Sequence, residues 1–295
     1  MIRVGTRGSA LALAQARWVA ERLDGDVELV SITTSGDRGD RGDKSRFVKE
    51  LEQALLEEEI EEALLAGEID LAVHSAKDVP AELPAGLSIV GVPERADPLD
   101  ALCGAGSLDE LSDGAVIGTA SIRRRAQLAA LRPGLDVRDL RGNVDTRLRR
   151  LAEGDFDAIV LARAGLARLG RDGEGAALPE LVPAAGQGCL ALEARGDDDA
   201  VAEAAAALTD RDALTALTAE RALVTALGAT CDTPVGALAD AANGALRLTA
   251  FIGHPDGSHW IRDELEGDRA DPAALGHAVA GRLASAGAGA LLDVR

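Results

Sequence analysis

Ile69-Asp70-Leu71-Ala72-Val73, running on into His74-Ser75-Ala76-Lys77-Asp78-Val79-Pro80, is the stretch from which the fold is read. A short apolar run reads as a strand, and a polar turn closed by proline ends it. Upstream lie a strand at Ile2 to Val4, a helix capped by Ser9 with Leu11, Ala14 and Trp18 at helical spacing, a strand from Val27 to Thr33, and a long acidic helical region at 46–66. Downstream the same grammar returns. Ala115-Val116-Ile117 is a strand that passes through Gly118-Thr119-Ala120-Ser121 into a helix from Arg123 to Leu131, which Pro133-Gly134 ends. Leu135 to Leu140 leads to Arg141-Gly142-Asn143, then comes a helix from Thr146 to Glu153 and a strand over 157–162. Strands alternating with helices predict α/β architecture, with mostly parallel sheets covered on both faces. The C-terminal part differs. A helix over 212–228, paired strands at Arg247 to Ile252 and His259 to Leu265, and a helix opened by Asp271-Pro272 describe a small α+β unit.

The chain has 295 residues and a formal net charge of −19. Such a surface repels nucleic acid and anionic membranes, so neither is expected as a partner. No apolar run is long enough to span a bilayer, and Met1-Ile2-Arg3-Val4-Gly5 lacks the features of a signal peptide; a soluble, cytoplasmic protein is expected. Three widely spaced cysteines, Cys103, Cys189 and Cys231, argue against a disulfide framework, and the four histidines do not cluster with them, so no metal site is expected. Lys44, Lys49 and Lys77 are the only lysines among 31 basic residues, and tyrosine is absent. This skew suggests adaptation to a salt-rich cytosol or a codon bias toward arginine.

In open α/β sheets ligands bind beyond the carboxyl ends of the strands. Three polar turns fall there. Ser75, Lys77 and Asp78 place a hydroxyl, a cation and a carboxyl together, fit either for anion binding and proton handling or for an ordinary surface ion pair. Gly118 to Arg125 runs from a small-residue turn into a helix N-terminus carrying three arginines, which need an anionic partner there. In Leu140 to Arg147, Gly142 permits an unusual backbone angle and Asn143 or Asp145 can cap a helix, while Arg141 is the arginine least explained by a solvated helix face. Together these turns describe a cation-lined site in an acidic protein, suited to a ligand with several carboxylates or phosphates. Neither a phosphate-binding P-loop nor a dinucleotide-binding glycine turn is present. Cys231, in a loop after the helix ending at Gly228, is a candidate nucleophile or attachment point; Cys103 and Cys189 read as buried and inert.

Taken in order, Gly5 to Ala12, Phe47 to Glu52, Ala72 to Pro80, Gly118 to Ser121 with its arginines, Leu140 to Val144, Pro183 to Gly188 and the Cys231 loop resemble the hydroxymethylbilane synthase (porphobilinogen deaminase) family along essentially the whole chain. The pairing of His-Ser-x-Lys-Asp-Val-Pro with Leu-Arg-Gly-Asn-Val, and a cysteine at the right distance, is the specific part. The resemblance implies two domains like the halves of a periplasmic binding protein, 1–93 with 189–206 and 99–182, an active site between them, and a cofactor-attachment domain at 211–295. It implies a dipyrromethane cofactor bound through a thioether to Cys231, porphobilinogen as substrate, and Asp78 as the group that protonates the leaving amine and then stabilises positive charge on the pyrroles. It also implies Arg7, Lys77, Arg123, Arg124, Arg141 and Arg147 as partners of acetate and propionate groups. Thr119 and Ser121 add hydrogen bonds, and Lys44, Ser75 and Gln187 complete the binding set. A monomer that hands its linear tetrapyrrole to uroporphyrinogen-III synthase is the expected setting.

Several positions depart from the family pattern. Gly42 to Arg46 is poorer in glycine, the helix after Phe47 reads about two turns longer, Ala120 and Thr230 replace common serine and glycine, and Asp145 puts a carboxylate near Arg141 and Arg147, where it would weaken their hold on substrate. Two other classes compete: a binding protein without chemistry, and a cysteine acyl transferase or hydrolase, which would need a base such as His254 or His259 near Cys231.

Overall fold

The computed structural model describes residues 1–32, 59–80, 82–230, 232–241 and 244–292. Cys231 and Lys44, and the 46–58 part of the expected acidic helix, lie outside the described residues; 59–65 is helical. The strands in chain order are β1 (Ile2–Arg7), β2 (Val27–Ile32), β3 (Leu71–Ser75), β4 (Leu87–Gly91), β5 (Asp100–Cys103), β6 (Val116–Gly118), β7 (Asp136–Arg138), β8 (Ala158–Ala162), β9 (Ala176–Leu178), β10 (Leu190–Arg195), β11 (Val235–Asp240), β12 (Leu246–Gly253) and β13 (Trp260–Gly267). The chain divides into two compact units: Met1–Glu94 with Leu190–Asp210, and Arg95–Cys189 with Arg211–Arg295.

The first unit is built on a sheet in the order β2-β1-β3-β10-β4. β1, β2 and β3 are parallel, and β10 pairs antiparallel with both β3 and β4, so every strand but β10 runs the same way. Side chains alternate across the strands. Val4, Leu71, Val73, Leu190 and Leu192 therefore pack on helices α1 (Ala10–Ala20) and α5 (Asp199–Ala206), while Ala72 on the other face meets Ile60, Leu64 and Ile69. Ser9 caps α1 by accepting a hydrogen bond from Ala12 N, as its position in the sequence predicts.

The second unit repeats the plan in its five-stranded sheet, β7-β6-β8-β5-β9, where the reversed strand is again fourth. Helices α2 (Ile122–Leu131), α3 (Val144–Ala152) and α4 (Arg163–Arg168) flank it. The same unit holds an antiparallel sheet, β11-β12-β13, under α6 (Arg211–Ala226) and α7 (Pro272–Ser285). Small residues let these two helices approach closely: a Cβ on Gly276 would lie 2.4 Å from the Ala219 carbonyl. Phe251 of β12 packs with Ala126 of α2 and with Val182, joining the two sheets of this unit.

In this unit the segments flanking the five-stranded sheet run side by side. Ala96 N donates to Gly188 O at 3.1 Å, and Gly188 has φ +92° with the Ala96 carbonyl 2.4 Å from where a Cβ would stand. Only glycine fits there.

Candidate active site

In the first unit, β1 and β3 end side by side at their carboxyl ends. Arg7 closes β1, and its Nε is buried with no hydrogen-bond partner among the described residues. β3 ends at Ser75, whose Oγ accepts from Gln15 Nε2 at 2.9 Å, and the chain then turns through a 3-10 helix, Ala76–Asp78. Lys77 and Asp78 are half-buried on that turn, held by the burial of Ala76 and Val79 on either side. Behind them His74 Nε2 lies 3.0 Å from Glu193 Oε2 of the reversed strand.

In the second unit, the Gly118–Ser121 turn spends its hydroxyls on its own backbone. Thr119 Oγ1 accepts from Ser121 N at 3.2 Å, and Ser121 Oγ caps α2 by accepting from Arg124 N. The arginines that follow meet anionic partners, as their place in a helix first turn requires. Arg123 Nη2 is 2.9 Å and Arg124 Nη2 is 2.7 Å from the two oxygens of Asp100, which is fully buried at the head of β5. Arg123 Nη1 donates to Val182 O and Arg124 Nη1 to Val160 O. Both side chains thus turn into the unit. Arg125 reaches Asp139 at 2.7 Å on the surface. Two guanidiniums hold the Asp100 carboxyl far below the ordinary carboxylate range against the opposing effect of burial.

The Arg141 turn is more open. Gly142 adopts φ +112°, and Asn143 caps α3 by accepting from Thr146 N at 2.9 Å. Arg141 is part-exposed, with Asp139 3.9 Å away, and Arg147 Nε donates to Gly142 O at 2.7 Å. Asp145 Oδ1 lies 3.0 Å from Arg171 Nη2. Gln187 Nε2 donates to Pro98 O and to Asp100 Oδ1, at 2.7 and 2.9 Å.

Two groups escaped the sequence reading. Asp100 starts an apolar run and carries no local pattern. Arg168 ends the short helix α4, where its Nη2 donates to Gly188 O at 2.7 Å and burial pulls its pKa below the ordinary value. Around position 231, Thr230 N donates to Thr233 Oγ1 at 2.7 Å, so the hydroxyls at Thr230 and Thr233 organise the flanking chain. His254 pairs with Asp256, and His259 with Ser258, at the β12–β13 turn. Cys103 and Cys189 are buried free thiols. No helix among the described residues is long and apolar enough to cross a membrane.

Residues 2–203 match the family described as porphobilinogen deaminase, dipyrromethane cofactor binding domain, and residues 214–285 match porphobilinogen deaminase, C-terminal domain. The chain belongs to the porphobilinogen deaminase family. The porphobilinogen deaminase of Deinococcus radiodurans is 46% identical across 99% of this chain and 98% of its own length. That of Thermus thermophilus is 49% identical across 94% of this chain and 93% of its own. Among solved structures, a periplasmic substrate-binding protein of an ABC transporter from Coxiella burnetii aligns over 70% of this chain and 91% of its own at 15% identity, with a TM-score of 0.43. The strand-end cations described above all lie inside the stretch that matches the cofactor-binding domain of the deaminases.

Proposed function

We propose that this chain is a transferase that joins four porphobilinogen units, with loss of ammonia at each step, into the linear tetrapyrrole hydroxymethylbilane. The observation that carries the reading is the match of residues 2–203 to the dipyrromethane-binding domain of porphobilinogen deaminases. The side chains fit such a group. A dipyrromethane bears acetate and propionate arms, and the strand-end turns carry Arg7 and Lys77 in the first unit and Arg123, Arg124, Arg141 and Arg147 in the second, in a protein whose net charge is −19. Guanidinium pairs with carboxylate in two-pronged fashion, and a concave cationic site focuses its field locally.

Cys231 would hold the dipyrromethane through a thioether, and the bound group would supply a free pyrrole α-carbon as the nucleophile. Asp78 gives its proton to the aminomethyl nitrogen of the incoming porphobilinogen as the C–N bond breaks and ammonia leaves. Its carboxylate would then oppose positive charge spread over the pyrroles, and Asp78 would take back a proton at its carboxylate before the next unit enters. Arg7, Lys77, Arg141, Arg147 and Lys44 bind carboxylate arms. Arg123 and Arg124 share one. Thr119, Ser121, Ser75 and Gln187 orient rings and arms by hydrogen bonds.

The protein works as a cytoplasmic monomer in concentrated salt and passes its product to a uroporphyrinogen-III synthase. Light scattering at graded salt tests the monomer. Adding the synthase to a stopped turnover and following the yield of the cyclic isomer against spontaneous ring closure tests the transfer.

Intact mass of the purified protein beside Cys231→Ser tests the central claim. A mass gain of two linked pyrrole units in the wild type and none in the variant is expected. A wild type that stays unmodified after incubation with porphobilinogen would sink the reading.

A further inference from the structure

Arg123, Arg124 and Asp100 form a closed cluster inside the second unit. All three are at least nine-tenths buried, with Asp100 at 0% exposure. Oδ1 of Asp100 takes Arg124 Nε at 3.1 Å, Arg124 Nη2 at 2.7 Å and Gln187 Nε2 at 2.9 Å, while Oδ2 faces Arg123 Nη2 at 2.9 Å. Gln187 is pinned in turn by Pro98 O. Two cations therefore share one anion, and the ion pairs among the described residues bring no second carboxylate to either guanidinium. A buried charge without compensation is costly. The N-terminus of α2, on whose first turn both arginines sit, adds to the positive potential. The Arg123 guanidinium responds as such a surplus dictates: burial pulls its pKa below the ordinary value, Asp100 opposes that, and Arg124 adds to it.

We propose that Asp100 is a positioning residue for carboxylate recognition, fixing the two buried guanidiniums in place while leaving them one negative charge short, so that the cluster takes up one carboxylate arm of the ligand. This rests on the reading of Arg123 and Arg124 as arms of the tetrapyrrole site. Asp100 sets where the guanidiniums stand and how many carboxylates they accept. Gln187 sets where Asp100 stands. An uncharged residue at 100 would leave the cluster two charges short and open to any small anion.

Asp100→Ala and Asp100→Glu test this, with sodium formate as probe. Asp100→Ala is expected to melt below the wild type and to regain several degrees in about 50 mM formate, while equal chloride does not help and the wild type gains less. Its KM for porphobilinogen should rise about tenfold or more, fall back with formate, and leave kcat within about threefold. A normal KM, or a melting temperature that formate lifts no further than in the wild type, overturns the proposal. Should Asp100→Ala fail to fold, Asp100→Glu keeps the charge but displaces the guanidiniums by a methylene. A raised KM with near-normal kcat is then expected, and an unchanged KM overturns the proposal. Wild-type protein that turns over porphobilinogen while Asp100→Glu keeps a normal KM would sink this inference alone; wild type without turnover would sink the assigned function instead.

Discussion

Arg95 and Glu220 meet away from solvent as a two-pronged pair, Nη1 to Oε1 at 2.7 Å and Nη2 to Oε2 at 3.3 Å. Glu220 also accepts from Gly186 N at 2.6 Å and from Ala239 N at 2.7 Å, and Arg95 Nε donates to Gln187 O. One side chain of α6 thereby fastens both segments flanking the five-stranded sheet to the edge strand of the three-stranded one. Removing one partner of such a pair strands the other as a buried charge. Glu220→Ala should cost about 3–5 kcal/mol, read as a lower urea midpoint with an unchanged slope.

Gly257 sits at the turn between β12 and β13 with φ +75°, and a Cβ there would lie 2.4 Å from the backbone of Ala129 and Ala130 in α2. Gly257→Ala combines a left-handed backbone with a clash that no side chain can relieve, at a cost of about 1–3 kcal/mol. Because α2 carries Arg123 and Arg124, the KM for porphobilinogen should rise as well. Chemical denaturation and steady-state kinetics on the same variant check both effects.

Asp78→Asn keeps the size of the side chain and removes the transferable proton. A drop in kcat of about 10²–10⁴-fold is expected, with the melting temperature held. Asp78→Glu should keep part of the rate. A kcat for Asp78→Asn near that of wild type would remove Asp78 from the proton transfer.

Burial pushes the Cys103 thiol up to about 11 from 9.0. Below pH 9 the thiol is protonated in both folded and unfolded chains. Between about 9 and 11 the unfolded chain releases the proton while the folded one retains it, so stability falls as pH rises, by up to about 1.4 kcal/mol per pH unit. Denaturation at pH 8 and pH 10.5 should show a larger loss for the wild type than for Cys103→Ala, by roughly 2 kcal/mol.

What was legible in the sequence was what local chemistry decides. Ser9, Asn143 and Asp271 cap helices where hydroxyl, amide or carboxylate residues precede apolar periodicity, and the three polar turns stand at strand ends. What was not legible depends on distant partners. Leu87 to Gly91 reads as no more than a short apolar run because its hydrogen-bonded neighbour, β10, lies about a hundred residues away. Ala176–Leu178 is too short to carry a period. The inward turn of Arg123 and Arg124 follows from Asp100, a residue with no motif of its own. Tertiary packing decides these points, and a window of neighbouring residues does not contain it.

The reversed fourth strand has a consequence for how the protein is made. Among the described residues β4 hydrogen-bonds only to β10 within its sheet, so the N-terminal sheet lacks the strand that joins β4 to β3 until residue 195 has left the ribosome, whereas the sheet spanning residues 100–178 takes no strand from outside that range. Synthesis begins at one end, yet the later of these two sheets is the first that can close. Until then the first holds an unpaired strand edge, the kind of surface that nascent-chain chaperones shield.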